Sequence, residues 1–176
     1  MKQAKRVAFG GMMAALAVAV MMAAYFPYLT FAVPCMAGLV SAVVAIELSQ
    51  KWAYGVYAVS SVIVLLFAEP EAKILYVSFF GYYPVLKITL EKIRAIWLEY
   101  IVKFAVFNFA IIICYTVFAS AFGVSMSDMG DFGKYTNLIL LAVGNIVFFV
   151  YDILIDRLAG IYMYRFHNNV SKYLSR

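Results

Sequence analysis

Long apolar runs separated by short polar stretches dominate this chain and limit what it can fold into. Of its 176 residues, 66% are hydrophobic and 13% are charged, whereas soluble domains are about half apolar and about a quarter charged. A helix needs about 20 apolar residues to cross the hydrocarbon core of a bilayer. Six runs approach or exceed that length: 7–28, 31–49, 51–67, 72–93, 97–123 and 135–166. They are continuous rather than alternating, which favours helices over barrel strands. The sequence therefore predicts an all-α integral membrane protein with six transmembrane helices in a single domain, residues 1–176.

Lysine and arginine concentrate in alternate connections between these runs. The basic connections and ends contain Lys2, Lys5, Arg6, Lys51, Lys92, Arg94, Arg165, Lys172 and Arg176. The remaining connections carry the acidic pairs Glu69/Glu71 and Asp128/Asp131. Because cytoplasmic loops are enriched in lysine and arginine, we predict a multi-pass protein of the cell membrane with both termini in the cytoplasm. The first run exceeds a signal-peptide core of about 7–15 residues, so we interpret it as a transmembrane helix.

Small residues recur at every fourth position of the first run, at Gly11, Ala15, Ala19 and Ala23. This spacing keeps them on one slowly drifting helix face. Small side chains allow another helix to approach closely, so that dispersion contacts drive association in lipid. The ridge packs either inside the protein's own bundle or against a partner membrane protein.

Polar residues within the runs fall into two layers when depth is counted at about 1.5 Å per residue. The inner layer is charged and contains Glu47, Lys87, Glu91, Glu99, Lys103, Asp152, Asp156 and Arg157. Charges at membrane depth are costly and usually pair or face water. An ion-pair belt is the simpler interpretation, and a proton or ion relay through Asp152 and Lys87 is the alternative. The middle layer is uncharged and contains Tyr82, Tyr83, Asn108 and Asn145.

The fourth run contains the stretch SFFGYYPVLK, residues 78–87. Pro84 has no N–H and clashes with the carbonyl of Phe80, so the helix is predicted to bend there, and Gly81 eases the bend. A bent helix beside polar groups leaves room for a mostly apolar pocket, which is typical of a small-molecule site. Tyrosine-rich core packing is the competing interpretation.

The sequence contains no motif of a known catalytic type. It has no HExxH, GxSxG, P-loop or GxGxxG, whose spacings carry zinc, acyl-transfer and nucleotide chemistry. Two cysteines, Cys35 and Cys114, and one histidine, His167, are too few for a typical zinc site. The net charge is +5, but the sequence offers no soluble basic face that could bind the phosphate backbone of a nucleic acid. We therefore expect no enzyme activity, no metal, no cofactor and no nucleic-acid partner.

The basic N-terminus, the small-residue ridge and the turn YFPY at residues 25–28 resemble the S component of an energy-coupling factor (ECF) transporter, as does the six-helix layout. The resemblance implies a subunit that captures a vitamin-like solute from outside. The ridge would dock on a transmembrane coupling subunit that connects to two ATPases. The solute would lie toward the outer face, beside Tyr28, Tyr76, Tyr83, Asn108, Tyr115 and Asn145.

Two other functions remain open from the sequence. A membrane scaffold of the cell envelope, in the manner of the rod-shape protein MreD, would have a filled tyrosine core and no pocket. An intramembrane enzyme or ion-coupled carrier would depend on Asp152 and Lys87.

Overall fold

The computed structural model describes residues 3–26, 28–122 and 136–175, without the side chains of 115–122, 136–140, 169 and 173–175. Every regular element in these ranges is helical. The α-helices are α1 (Gln3–Met22), α2 (Ala32–Glu47), α3 (Gln50–Phe67), α4 (Pro70–Leu75), α5 (Tyr83–Leu90), α6 (Ile96–Phe122), α7 (Thr136–Arg165) and α8 (His167–Ser175). A 3₁₀ turn, Ala23–Tyr25, extends α1, and a π-helical segment, Tyr76–Phe80, lies between α4 and α5.

Within the described ranges, three helical segments are long and apolar enough to cross a membrane. They are Gln3–Tyr25, Gln50–Phe67 and Ile96–Cys114, and α2 is a shorter apolar helix. The all-helical fold predicted from the sequence is confirmed for the described residues, and these segments are consistent with a membrane protein.

Helix bounds follow the apolar runs closely, with one correction. The fifth and sixth runs become α6 and α7 within one residue at each described end. Gln50 and Lys51, predicted to connect the second and third runs, are instead the first residues of α3. The connection is Leu48 and Ser49, so it is still two residues long but begins two residues earlier than the hydropathy indicated.

The fourth run is broken where the proline predicted a bend. The π-helical segment closes with a hydrogen bond from the Gly81 N–H to the Tyr76 carbonyl, 2.8 Å long. Pro84 lies in the first turn of α5, where a helix needs no N–H from it. The wider π turn leaves the Val77 carbonyl available, and the Tyr57 hydroxyl donates to it at 2.6 Å. The bend is therefore stabilised by a side chain from α3.

Helix α2 lies at the centre of the bundle and contacts α1, α3, α5, α7 and the π-helical segment. Its close approach to the bend depends on Gly38, because a Cβ there would overlap the carbonyl oxygen of Phe80. That carbonyl is the one that Pro84 cannot bond, since proline lacks the N–H that would normally point to it. Glycine therefore allows α2 to cover the interrupted part of the fourth run.

The buried side chains divide between two sides of α2. On one side α1, α2 and α3 pack with α4 and α5 through small and aliphatic residues. On the other side an aromatic cluster joins the π-helical segment and α5 to α6 and α7. Its buried members are Phe79, Phe80, Tyr83, Phe107, Ala110, Phe148, Tyr151 and Ile155.

Candidate functional site

A buried carboxylate on α7 connects that helix to α5 and α6. Asp152 Oδ1 accepts a hydrogen bond from the Tyr83 hydroxyl at 2.6 Å and lies 2.8 Å from Lys87 Nζ. Its Oδ2 lies 3.2 Å from Lys103 Nζ, and its backbone carbonyl accepts from Lys87 Nζ at 2.6 Å. Lys87 and Lys103 are each 2% exposed, and Asp152 is 4% exposed. We call Tyr83, Lys87, Lys103 and Asp152 the Asp152 cluster.

Three further carboxylates surround the two lysines on the more exposed side of the cluster. Lys87 Nζ lies 2.8 Å from Asp156 and 3.5 Å from Glu91. Lys103 Nζ lies 2.7 Å from Glu99 and 3.7 Å from Glu91. Partial burial raises the pKa of the Glu91 carboxyl, which lies beyond the end of α5, while the two lysines oppose that rise. Each buried ammonium group therefore has at least two carboxylate partners, which is the arrangement that buried charges require.

The charged side chains predicted for the inner layer do not all meet in the structure. Those on α5, α6 and α7 meet in and around the Asp152 cluster, except for Arg157, which is exposed. Glu47 belongs to a separate contact, where its Oε1 accepts from the Tyr162 hydroxyl at 2.8 Å and lies 2.9 Å from His167 Nδ1. That contact ties α2 to the start of α8. From the sequence, His167 was considered only as a zinc ligand, because hydropathy gives no signal for a long-range partner.

The two asparagines of the middle layer bond to each other across α6 and α7. Asn108 Nδ2 donates to Asn145 Oδ1, and Asn145 Nδ2 donates to Asn108 Oδ1, both at 3.0 Å. Each Nδ2 also donates to the carbonyl four residues earlier in its helix, Phe104 for Asn108 and Leu141 for Asn145. All four amide N–H donors are thus used, and the pair is a closed clamp between the two helices.

Aromatic rings fill the space between this amide pair and the Asp152 cluster. Phe79 stacks on Tyr83 with ring centroids 4.6 Å apart, and Phe107 stacks on Phe148 at 4.7 Å. Phe148 also meets the edge of Tyr83 at 5.2 Å. Three of the predicted solute-binding residues, Tyr83, Asn108 and Asn145, therefore gather around one aromatic group, with their polar atoms bonded to protein partners.

The other three predicted solute-binding residues lie elsewhere. Tyr76 is fully buried on the α3 side of the bundle, and its hydroxyl lies 2.8 Å from that of Ser60. Tyr28 lies in the connection between α1 and α2, 99% exposed and with a positive φ of 71°. Tyr115 lies in α6, and its side chain is outside the described residues.

The small-residue ridge of α1 faces away from the bundle for most of its length. Gly11, Ala15 and Ala19 are exposed and Ala23 is half-buried. A Cβ on Gly11 would meet no atom within 4 Å. The adjacent face of α1, which includes Ala14 and Ala17, packs into the core with α2 and α3. Of the two interpretations of the ridge, packing within the protein's own bundle does not apply to its first three positions.

Side chains that sequence patterns did not single out include a group of hydroxyls on α2 and α3. Ser41, Ser60 and Ser61 are buried beside Tyr57 and Tyr76. Single serines in an apolar run carry no periodic signal, which is why they were missed. Across the described residues, no three histidine, cysteine, aspartate or glutamate side chains are arranged to hold a metal ion.

Comparison with protein-family models, with curated proteins and with solved structures gives no match to this chain. The geometry described above is therefore the basis for any functional proposal.

Proposed function

We propose that this protein is the membrane-embedded substrate-binding subunit of an ECF-type uptake transporter, a non-catalytic S component. It would capture a small, vitamin-like solute from the outer side and dock through α1 on a transmembrane coupling subunit that carries the ATPases. The observation that supports this proposal most is the exposed ridge of Gly11, Ala15 and Ala19, which faces away from the bundle. The sequence resemblance assigns that face to the coupling subunit.

The ridge has the physical character of a helix-docking surface within lipid. Lipid tails are as apolar as the side chains of a helix, so a hydrophobic effect does not drive helices together there. Association depends on close backbone approach and dispersion contacts, which Gly and Ala permit. On the adjacent, buried face of α1 the same kinds of residue, such as Gly10 and Ala14, already make such contacts within the bundle.

The proposed topology has six spans with both termini in the cytoplasm of a cell-membrane protein. The α4, π-helical and α5 segments together count as one interrupted span. Helix α2 is about one turn shorter than the ideal span, and α7 is about three turns longer. At about 1.5 Å per residue, α2 is roughly 24 Å long and α7 roughly 45 Å long, against a hydrocarbon core of about 30 Å. We therefore place the end of α7 and the whole of α8 beyond the cytoplasmic side of the core.

The proposed solute site lies on the outer side of α5, α6 and α7. The amide pair of Asn108 and Asn145 is its innermost uncharged polar group. The stacked rings of Phe107 and Phe148 lie below that pair. Because all amide donors of the pair are in use, a solute that accepts a hydrogen bond from either asparagine has to open the clamp, whereas a solute that donates one can use the remaining lone pair of either Oδ1. Binding of an accepting solute would thus change the contact between α6 and α7.

Co-purification from the native membrane tests the docking proposal. We expect a coupling subunit and ATPases to co-purify with the tagged wild-type chain. Ala15→Leu or Ala19→Leu should reduce their recovery about tenfold or more, because a loss of about 1.4 kcal/mol in packing lowers affinity tenfold. The matched control is Leu16→Phe on the same helix, where the side chain is exposed and lies outside the ridge. Equal recovery with the ridge variants and the control would contradict the proposal.

A cell-envelope scaffold is the second candidate. This function is favoured because the polar atoms of Tyr83, Asn108 and Asn145 all bond to protein groups. If the protein is a scaffold, co-purification would recover cell-envelope proteins without an ATPase module, and native mass spectrometry of the purified chain would show no retained solute. A retained vitamin-like molecule, or thermal stabilisation by one, would instead favour the S component.

A further inference from the structure

Three cationic residues flank one hydrogen bond at the end of the bundle where α3 and α6 begin. Gln50 Nε2 donates to Thr89 Oγ1 at 3.1 Å, which joins the start of α3 to the last turn of α5. Lys51 follows Gln50 in α3, and the Lys92 N–H donates to the Thr89 carbonyl at 3.3 Å. Arg94 lies two residues farther along the chain, just before α6. The fold therefore brings Lys51 to the same end of the bundle as two cations that are distant from it in the sequence.

These three side chains, which we call the basic patch, have no ionic partner among the described residues. Lys51, Lys92 and Arg94 are exposed, and none of them forms an ion pair there. The neighbouring carboxylates of Glu91 and Glu99 pair instead with the buried lysines of the Asp152 cluster. The basic patch therefore presents three positive charges that this part of the chain does not neutralise.

Exposed apolar side chains continue from the basic patch into α6. Trp97 is 85% exposed, and its neighbours Ile96 and Leu98 are also exposed. They begin the segment Ile96–Cys114, and Lys51 lies at the start of Gln50–Phe67, both of which are long and apolar enough to cross a membrane. Tryptophan is enriched where the headgroups of a bilayer meet its hydrocarbon core. With these two segments in a bilayer, the basic patch lies at the level of the lipid phosphates.

We propose that the basic patch and Trp97 form a binding site for the headgroup of an anionic phospholipid, in the leaflet that surrounds the starts of α3 and α6. Lysine and arginine bind phosphate oxygens through charge-assisted hydrogen bonds, and basic residues close to a membrane surface attract anionic lipids. The acyl chains of the same lipid lie against the exposed face of α6. This inference rests on the proposed function for its membrane placement, and it uses neither the docking ridge nor the solute site.

The surroundings of the basic patch favour an anionic lipid over other partners with a phosphate group. A free phosphate or a nucleic acid would meet the three charges but leave Trp97 and Leu98 in water, whereas a phospholipid covers the cations and the apolar side chains together. A zwitterionic lipid carries its own cation beside the phosphate, which the patch repels. A phosphate headgroup with a net negative charge is therefore the best match.

Quenching of Trp97 fluorescence by brominated lipids measures which headgroup gathers at this site. The chain has two tryptophans, so Trp52→Phe leaves Trp97 as the only reporter. The vesicles contain equal amounts of phosphatidylcholine and phosphatidylglycerol, with bromine on the acyl chains of one lipid or of the other. We expect stronger quenching by brominated phosphatidylglycerol. Replacing Lys51, Lys92 or Arg94 by glutamine should each lower that preference about fivefold, the effect of one basic residue near an anionic surface.

The matched control is Arg157→Gln with Arg165→Gln, which removes two exposed cations of α7 outside the basic patch and should leave the preference unchanged. Equal quenching by the two lipids, or equal effects of the control and of Lys92→Gln with Arg94→Gln, would overturn the proposal. Loss of the preference on addition of inorganic phosphate would show a free-phosphate site and overturn it as well. An unchanged preference in Lys51→Gln would refute the part of the site that α3 contributes.

Recovery of a coupling subunit is measured separately, so the two proposals can fail independently. Equal quenching in a chain that still recovers the coupling subunit removes the lipid site alone. A lipid preference that depends on the basic patch, in a chain that recovers no coupling subunit, supports the lipid site and contradicts the docking proposal.

Discussion

Replacing Asp152 by asparagine tests whether the Asp152 cluster holds α5, α6 and α7 together. Asparagine keeps the shape of the side chain and one oxygen acceptor, but it removes the charge that faces two buried lysines at 2.8 and 3.2 Å. Removing one partner of a buried ion pair costs about 3–5 kcal/mol. Lys87 keeps Asp156 and Lys103 keeps Glu99 as close partners, so we place the loss at the lower end, about 3 kcal/mol.

That loss corresponds to a fall of about 6–12 °C in the thermal midpoint, since about 1 kcal/mol shifts it by about 2–4 °C for a chain of this size. The assay is thermal unfolding in detergent with a thiol-reactive dye, because Cys35 and Cys114 are free and half-buried. Both cysteines lie outside the cluster, so they report unfolding without taking part in it.

Asp156→Asn is the matched control for this prediction. Asp156 also lies 2.8 Å from Lys87 Nζ, but its side chain is 57% exposed. Exposed ion pairs contribute about 0–1 kcal/mol, so the control should shift the midpoint by no more than about 4 °C. If Asp152→Asn and Asp156→Asn have equal, small effects, the burial argument is wrong. A double variant, Asp152→Asn with Lys103→Met, should recover part of the loss, because it removes one of the two ammonium groups that lose a carboxylate partner.

Two further substitutions test other contacts in the same unfolding assay. Gly38→Ala should lower the midpoint by about 5 °C or more, since its Cβ would overlap the Phe80 carbonyl and overpacking costs about 1–3 kcal/mol. The control is Gly55→Ala, which should leave the midpoint unchanged or raise it, because a Cβ there would meet no atom within 4 Å. Equal effects of the two substitutions would refute the close approach of α2 to the Phe80 carbonyl. Asn108→Ala and Asn145→Ala should each lower the midpoint, and the double variant should lose less than the sum of the two, because the amides bond reciprocally. Additive losses would show that the clamp between α6 and α7 is absent.

Hydropathy and backbone chemistry predict the helices of this protein well because each run must satisfy its own backbone in an apolar setting. The apolar runs locate α2, α3, α6 and α7 to within a few residues, and Pro84 locates the break in the fourth run. The π-helical segment before that break was not predicted. It depends on tertiary contacts, above all the hydrogen bond from Tyr57 to the Val77 carbonyl, which no local pattern encodes.

Side-chain partners were predicted only in part. Counting residues along each run grouped Lys87, Lys103 and Asp152, which do meet in the structure, but it did not predict the direct bond from Tyr83 to Asp152. Tyr83 had been assigned to the middle layer, yet a tyrosine is long enough to reach a carboxylate assigned to the inner layer. Glu47 was assigned to that same inner layer and bonds to Tyr162 and His167 instead. Depth limits which residues can meet, and helix rotation decides which of them do.

The sequence also could not predict which face of α1 is buried. Small residues occur on two adjacent faces, at Gly10 and Ala14 and at Gly11 and Ala15, so the four-residue spacing could not tell which face is buried. The structure buries the first pair against α2 and α3 and leaves the second exposed. Only the packing of the neighbouring helices could determine this choice.

Site-specific photo-crosslinking from α1 in intact cells tests the central claim most directly. A photoreactive residue at Ala15, on the exposed ridge, should crosslink to a transmembrane coupling subunit of an ATP-driven transporter, whereas one at Ala17, buried in the core, should give only crosslinks within the chain. Crosslinks from Ala15 to lipid alone, or to cell-envelope proteins unconnected with an ATPase, would contradict the account.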